Sequence, residues 1–200
     1  EADLALTTNK GAVTGISYAA GADAKTIAAA INTAATNIGI TATATNNATL
    51  GNLGSAGTVS MTLNGSSVSA VVTDKSDLSS LAASINGLQS TSGVTASFAT
   101  PGNKSVITLS TTDGRDITVV DFNNSGATKT ADIVAGTTTT TLTGGAATDS
   151  TTITGTIELA SSAGQITAGN ANASVFGTSV SAFNSVATLD LLSATNSQAA

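Results

Sequence analysis

The chain has 200 residues, of which 9% are charged and 2% are aromatic, and its formal net charge is −6. With only 6 Lys and Arg residues, it lacks the basic surface with which proteins bind nucleic acid or anionic lipid. It contains no His and no Cys, which excludes the most frequent general base, disulfide bonds and thiolate metal sites.

The first part of the chain predicts two short strands, a helix and a third strand. Leu4 and Leu6 occupy alternate positions of one predicted edge strand, and residues 16–18 indicate a second strand. Asp23 is a suitable N-cap for the helix. Residues 39–44 alternate again as a strand. Apolar residues at helical spacing follow the N-cap, namely Ile27, Ile31, Ala34 and Ile38.

The stretch from Val59 to Val120 has the clearest pattern. Two alternating strands flank Asn64-Gly65, a dipeptide that supplies the positive φ angles of a tight hairpin turn. A helix is predicted from Asp77 to Gly87, with Gly87 as the left-handed residue that ends it. One apolar stripe would cover the strands, formed by Leu78, Leu81, Ala82 and Ile85.

Further hairpins are predicted toward the C-terminus. Strands at 94–98 and 106–109 flank the single proline, and Asp113-Gly114 is predicted to turn the chain into another strand. The run Thr137 to Thr141 fits an exposed strand or a mobile loop, and its apolar flanks favour the strand. The residues from 157 to Gly164 are similar to those from 107 to 114, which predicts one more hairpin.

The helix and the strand that follows it occur twice. A constant offset of 54 residues takes Asp23 to Asp77 and aligns the two segments without a gap. The offset also matches Ile31-Asn32 with Ile85-Asn86. Such a match indicates one supersecondary unit that is used twice.

These patterns predict an α+β fold that is mostly β, with antiparallel hairpins and two short amphipathic helices packed on sheets. We expect two small subdomains. Residues 57–122 would form an inserted subdomain of two strands, a helix and a hairpin. Residues 1–56 and 123–187 would form an outer subdomain that is built from both ends of the chain.

The second copy resembles the "IN" motif of bacterial flagellins and of related hook and cap proteins. It consists of the Asn-Gly hairpin, residues 77–86 (Asp-Leu-Ser-Ser-Leu-Ala-Ala-Ser-Ile-Asn) and a Val-Thr-Ala strand, and Ile31-Asn32 is a plainer copy. The pattern at 155–164 is similar to the strand pairs of flagellin outer domains. The passage from Phe183 to Ala200 resembles the return of such a domain to its C-terminal helical core, with 188–200 as the return segment.

The resemblance implies a structural protein without catalysis, namely the surface-exposed outer domain of a flagellin in the bacterial flagellar filament, which serves motility. Its partners would be other flagellin subunits, which polymerise through helical segments that are absent from this sequence. Contacts with host or surface glycans would be possible at the exposed surface. Flagellins are secreted without a cleaved signal peptide, and this N-terminus has no such pattern. The expected location is therefore extracellular.

Two alternatives stay open. A hook-associated or cap protein would share the "IN" motif and would lie at the base or tip of the filament. A surface carbohydrate-binding or adhesive module belongs to a different class, and it usually uses exposed Trp or Tyr. Tyr18 is the single Tyr of the chain, and there is no Trp.

Acidic residues are the catalytic candidates that remain. Asp113, Asp116 and Asp121 lie near one predicted turn with Arg115, and a carboxylate pair in a cleft can hydrolyse glycosides. A solvated turn and strand end is the favoured interpretation. We therefore assign no catalytic residue and predict that the protein is not an enzyme.

No metal, cofactor or glycosylation site is assigned either. Asp74 and Asp77 are too few for a calcium loop, and helix capping explains both. The Gly-rich residues 51–57 do not fit a phosphate loop. The Asn-x-Ser/Thr pattern is expected several times by composition alone, and it occurs at Asn47, Asn64, Asn103, Asn123 and Asn172.

Overall fold

The computed structural model describes residues 2–169 of the chain. The sequence also predicts a final strand or turn within residues 175–183, and this segment and the return segment 188–200 lie outside the described residues. The predicted α+β, mostly β fold is confirmed. The strands are β1 (Ala2–Thr8), β2 (Gly11–Ser17), β3 (Ile40–Gly51), β4 (Gly57–Leu63), β5 (Ser66–Val72), β6 (Thr95–Ser97), β7 (Val106–Thr111), β8 (Ile117–Asn124), β9 (Thr130–Ala135), β10 (Thr138–Thr143), β11 (Thr151–Ile153), β12 (Thr156–Ser161) and β13 (Thr167–Gly169).

Helices lie where the hydrophobic pattern predicts them. Helix α1 spans Ala24–Ala35 and continues into a 3-10 turn at Thr36–Ile38, whereas α2 spans Ser79–Gly87. A short helix, α3 (Gln89–Ser92), follows α2. The predicted stripe of α2 is buried, with exposed fractions of 0 to 4% at Leu78, Leu81, Ala82 and Ile85.

The strands form three antiparallel sheets. The first has the order β13-β1-β2, and the second has the order β11-β8-β4-β5. The third has the order β10-β9-β3-β7-β6, and β12 also pairs with β3. The run Thr137 to Thr141 therefore contributes to a strand, as its apolar flanks predict.

The predicted hairpin at Asn64-Gly65 is confirmed. Leu63 pairs with Ser66 across a two-residue loop, and the φ angles of Asn64 and Gly65 are 46° and 79°. Two positive φ angles are the requirement of the tight turn that matches the twist of the flanking strands, which is why this dipeptide is favoured there.

The predicted end of the second helix at Gly87 is wrong. Gly87 has no positive φ and belongs to α2, and the chain continues through α3. The left-handed residue is Gly93, with φ 71°, whose N–H donates to the Gln89 carbonyl at 2.8 Å. In the first copy Gly39 has φ 80° at the equivalent position. The helical segment thus ends at the glycine just before the next strand.

The predicted hairpin through Asp113-Gly114 is also wrong, because β7 and β8 belong to different sheets. Strand β7 pairs with β3 and β6, whereas β8 pairs with β4 and β11. Gly114 has the positive φ that the sequence predicts, 74°, but here it lets the chain cross between sheets. The hairpin predicted near Gly164 fails for the same reason, since β12 pairs with β3 and β13 pairs with β1.

The chain divides into two compact units. Within the described residues, unit 1 comprises 2–22, 27–42 and 158–169, and unit 2 comprises 23–26 and 43–157. The boundaries of the predicted inserted subdomain, 57–122, are narrower than those of unit 2. The reason is strand pairing, because β3, β9, β10 and β11 pair with strands of that segment or with one another.

Unit 2 has one continuous apolar core. It contains Phe122, the largest fully buried side chain of the described residues, and many small aliphatic residues from Ala48 to Ile153. The core of unit 1 contains residues of β1, β2, α1, the 3-10 turn and β3 that are at most 8% exposed, namely Leu4, Leu6, Ile16, Ile27, Ala28, Ile31, Ala35, Ile38, Ile40 and Ala42.

The predicted repeat extends beyond the helix and strand. In the second copy the order is β4, β5, α2, β6, β7 and β8, where β8 pairs with β4 and β6 pairs with β7. In the first copy the order is β1, β2, α1, β3, β12 and β13, where β13 pairs with β1 and β12 pairs with β3. The two copies have the same topology. The second copy is inserted into the first between β3 and β12.

Candidate functional site

The asparagine of each Ile-Asn pair has a structural role. The Asn86 side chain donates to the Ala96 carbonyl and accepts the Ala96 N–H, both at 2.8 Å. Asn32 makes the same two bonds with Ala42, at 2.8 and 2.7 Å. Each amide therefore ties a helix to the backbone of the following strand, ten residues later in the sequence. The Ile-Asn match was visible in the sequence, but these bonds were not.

The candidate carboxylate Asp113 is held in an ion-pair cluster. Its oxygens accept hydrogen bonds from Arg115 Nε and Nη2, the shortest at 2.6 Å, and from Lys25 Nζ at 2.9 Å. These bonds, chiefly those from Arg115, hold the pKa of Asp113 well below its ordinary value of 3.8. Such a carboxyl group stays ionised and suits charge pairing rather than proton donation.

Asp116 and Asp121 have different environments from Asp113. Asp116 Oδ1 is buried without a hydrogen-bond partner among the described residues, and burial raises the pKa of this carboxyl group, although a hydrogen bond from the Gly155 N–H opposes the shift. Asp121 is exposed, has φ 53°, and lies where the pairing of β4 with β8 is irregular. The three acids thus occupy distinct environments.

The hydrogen bonds agree with the capping interpretation for Asp77 but not for Asp74, whose partner Ser76 lies in the turn before α2. Asp77 Oδ1 accepts the Ser79 N–H at 2.9 Å at the start of α2, and Asp74 Oδ1 accepts the Ser76 N–H at 2.8 Å. Hydrogen bonds from these serines lower the pKa of both carboxyl groups. In residues 2–169, no group of three or more metal-ligating acids occurs.

The other sequence candidates are placed as follows. Residues 51–57 connect two strands, β3 and β4, and not a strand and a helix. The Asn64 amide is occupied, because it donates to the Ser92 and Asp116 carbonyls and accepts the Thr118 N–H. Asn172 lies outside the described residues. Within those residues, no helix is long and apolar enough to cross a membrane.

Unit 2 contains a groove of about 440 Å³ that the sequence did not predict. We call it the threonine groove, because most of its polar lining consists of threonine side chains from β10, β11, β12 and the adjoining turns. Asn46 and Asn47 of β3 line it too. They lie between Thr45, which contacts Thr156 of β12, and Thr49, where pairing with β9 begins.

The lining residues of the threonine groove are far apart in the sequence, which explains why no local motif indicated it. The groove has no charged lining residue, so acid–base or metal chemistry has no obvious side chain there. Its hydroxyl and amide groups can donate and accept hydrogen bonds. Such groups can bind a polar ligand.

The family comparisons do not identify the chain. No family model matches it, and no curated protein matches it significantly.

Replacing Asp113 with Asn tests the ion-pair cluster. We expect the free energy of unfolding to fall by about 1 kcal/mol at neutral pH, a small value because the partners are partly exposed. The folded-state pKa of Asp113 is lowered, so its contribution is present above pH 3.8 and is lost as the pH falls below that value. Urea titrations from about pH 6 to about pH 2 should show the wild type and the variant converging.

Asp116→Asn is the control, because the pKa of Asp116 is shifted in the opposite direction. The ionised, partly buried carboxylate costs stability; this cost begins as the pH rises above 3.8 and is complete above the raised pKa of the folded state. The Asn variant should therefore gain stability relative to the wild type with increasing pH. A constant difference between the wild type and Asp113→Asn across the titration would contradict the assignment.

Proposed function

We propose that this chain is the surface-exposed outer region of a flagellin, with a structural role in the bacterial flagellar filament and no catalytic activity. The observation that supports it most is the duplicated Ile-Asn motif in its structural context. Both copies place the motif in the C-terminal half of a helix, with the asparagine bonded to the next strand. Because the asparagine has the same structural role in both copies, the resemblance is more specific than a match of residue types alone.

The surface chemistry of the described residues also supports a display role. Charged residues are few, and hydroxyl groups dominate the solvent-facing side of β3, where Thr41, Thr43 and Thr45 are exposed. A polar surface without cysteine can stay soluble at the high local density of a filament, because hydroxyl groups remain hydrated and do not form covalent cross-links.

One sheet edge of unit 2 is protected against pairing with a neighbouring copy, as the high local density of a filament requires. Strand β5 lies at the edge of its sheet. The hydroxyls of Ser80 and Ser84 on α2 donate to the backbone carbonyls of Val71 and Ser69, at 2.7 and 3.0 Å. These bonds occupy carbonyls that a neighbouring copy would otherwise pair with, so they oppose edge-to-edge aggregation.

The proposal is tested by labelling a single introduced cysteine in cells of the source organism. The chain has no Cys, and Thr137 is exposed in the turn between β9 and β10. Thr137→Cys should react with a fluorescent maleimide and give label along the whole length of the filaments. Ala131→Cys is the matched control, because residue 131 is 0% exposed and the thiol should not react.

The position of the label distinguishes the alternatives. Label confined to the filament base or tip would assign the chain to the hook-associated or cap proteins, which share the motif. Label on the cell body with unlabelled filaments would reject the flagellar proposal. Equally strong labelling of the Ala131→Cys control would show that residue 131 of β9 is not buried. It would not bear on the proposed function.

A further inference from the structure

We propose that the threonine groove of unit 2 is a binding site for a neutral sugar. The volume of about 440 Å³ lies in the usual range of small-molecule sites. A hexose ring with its hydroxyl groups fits a space of that order. This proposal does not depend on the flagellar assignment, because it concerns a ligand and not an assembly.

The polar lining identifies the chemical class of the ligand. Thr138, Thr140, Thr152 and Thr154 line the groove, and within residues 2–169 their hydroxyls make no hydrogen bond to another residue. Each hydroxyl can donate one hydrogen bond and accept others, which matches the hydroxyl groups of a sugar. A neutral ligand is favoured because no lining residue could neutralise a charge that is removed from water.

The apolar part of the lining completes the match. Ile133, Ala135 and Ile153 line the groove; Ile133 and Ile153 are buried, and Ala135 is the partly exposed one of the three. A pyranose ring carries C–H groups on one face and hydroxyls around its rim, so this face can pack on aliphatic side chains. Because no aromatic ring lines the groove, we expect weak binding.

The groups that would bind the sugar are held on paired strands. Thr140 pairs with Ile133 in the β9–β10 hairpin, and Thr152 pairs with Thr118 between β11 and β8. Asn46 donates to the carbonyls of Ile153 and Arg115, at 2.7 and 3.1 Å, and so fixes one wall. Preorganised groups lose little entropy when a ligand binds.

The test uses the full chain, labelled with ¹⁵N, in separate NMR titrations with glucose, galactose, N-acetylglucosamine and glucuronate. At least one of the neutral sugars should cause saturable shifts at the amides of Thr138, Thr140 and Thr152. Glucuronate should bind more weakly than glucose, because the groove provides no cation for its carboxylate.

Valine variants test the hydroxyls themselves, since valine keeps the branched shape and removes the hydrogen-bonding group. Thr138→Val and Thr140→Val should each weaken sugar binding about fivefold, the ratio that corresponds to one lost hydrogen bond. Thr139→Val is the matched control, because Thr139 is exposed on the same strand and does not line the groove.

Three results would overturn the proposal. The first is an absence of saturable shifts at the lining amides with every neutral sugar. The second is glucuronate binding as strongly as glucose. The third is an equal weakening by Thr139→Val, which would place the site elsewhere on the hairpin. Preserved spectra of the variants would establish that each of them is folded.

Discussion

Replacing Gly114 with Ala should lower the free energy of unfolding of unit 2 by about 3 kcal/mol, because two separate costs combine. Gly114 has φ 74°, a conformation that an L-residue with a side chain adopts at a cost of about 1 kcal/mol. A Cβ atom there would lie 2.3 Å from the Ala44 Cβ and 2.7 Å from the Ala44 carbonyl carbon. Relief of this overlap requires a movement of the β3 backbone.

Gly65→Ala is the matched control for the conformational cost alone. Gly65 has φ 79°, and no heavy atom lies within 4 Å of the position its Cβ would take. We expect a loss of about 1 kcal/mol for this variant. Native-state hydrogen exchange at the amides of β4 and β8 would give the stability of unit 2 separately from that of unit 1. Equal losses for the two variants would show that the contact with Ala44 does not constrain the chain.

Local features of the fold could be predicted from the sequence. The Asn64-Gly65 turn follows from the φ angles that its two residues tolerate, and the buried stripe of α2 follows from residue spacing. Asp23 caps α1 as its position indicated, since its Oδ1 accepts the Thr26 N–H at 2.9 Å. These features depend on residues that are neighbours in the sequence, which is why pattern analysis finds them.

Strand partners could not be predicted in the same way. The residues around Gly114 and Gly164 have the alternation and turn residues of a hairpin. At both places, however, the chain crosses to another sheet. The choice depends on partners more than 50 residues away: β8 pairs with β4, and β13 pairs with β1. A glycine with positive φ permits either outcome, so the local sequence contains no information about the choice.

The candidate sites show the same limit. Asp113 could be recognised as a carboxylate near a turn, but its ion pair with Lys25 joins residues that are 88 positions apart. The threonine groove combines residues from Asn46 to Thr156. In a chain so rich in threonine, composition does not distinguish the hydroxyls of the groove from those that face solvent. Only the strand order identifies them.

The nested repeat explains why the first copy is discontinuous in the sequence. Strand β7 (Val106–Thr111) precedes β12 (Thr156–Ser161) by 50 residues, and the glycine after each strand has a positive φ, 74° at Gly114 and 88° at Gly164. In the sequence this similarity is limited to a few residues. In the structure, β12 and β13 complete the first copy, so that copy is interrupted by the whole of the second.

Asn86→Ala should lower the free energy of unfolding of unit 2 by about 2 kcal/mol, because it removes two hydrogen bonds worth about 1 kcal/mol each. The partner, Ala96, is 7% exposed, so water reaches its backbone groups poorly once the amide is gone. Gln89→Ala is the control: it removes an exposed amide from α3 and should change stability by less than about 0.5 kcal/mol.

The repeat gives this prediction a second, independent form. Asn32→Ala should cause a loss of about the same size in unit 1, measured by hydrogen exchange at the amides of β1 and β2. If Asn86→Ala and Gln89→Ala were equally tolerated, the two bonds to Ala96 would be incidental. The Ile-Asn resemblance would then lose its structural basis, and the flagellin proposal would lose its main support. If each asparagine variant destabilises its own unit, the motif stabilises the contact between a helix and the next strand in each copy.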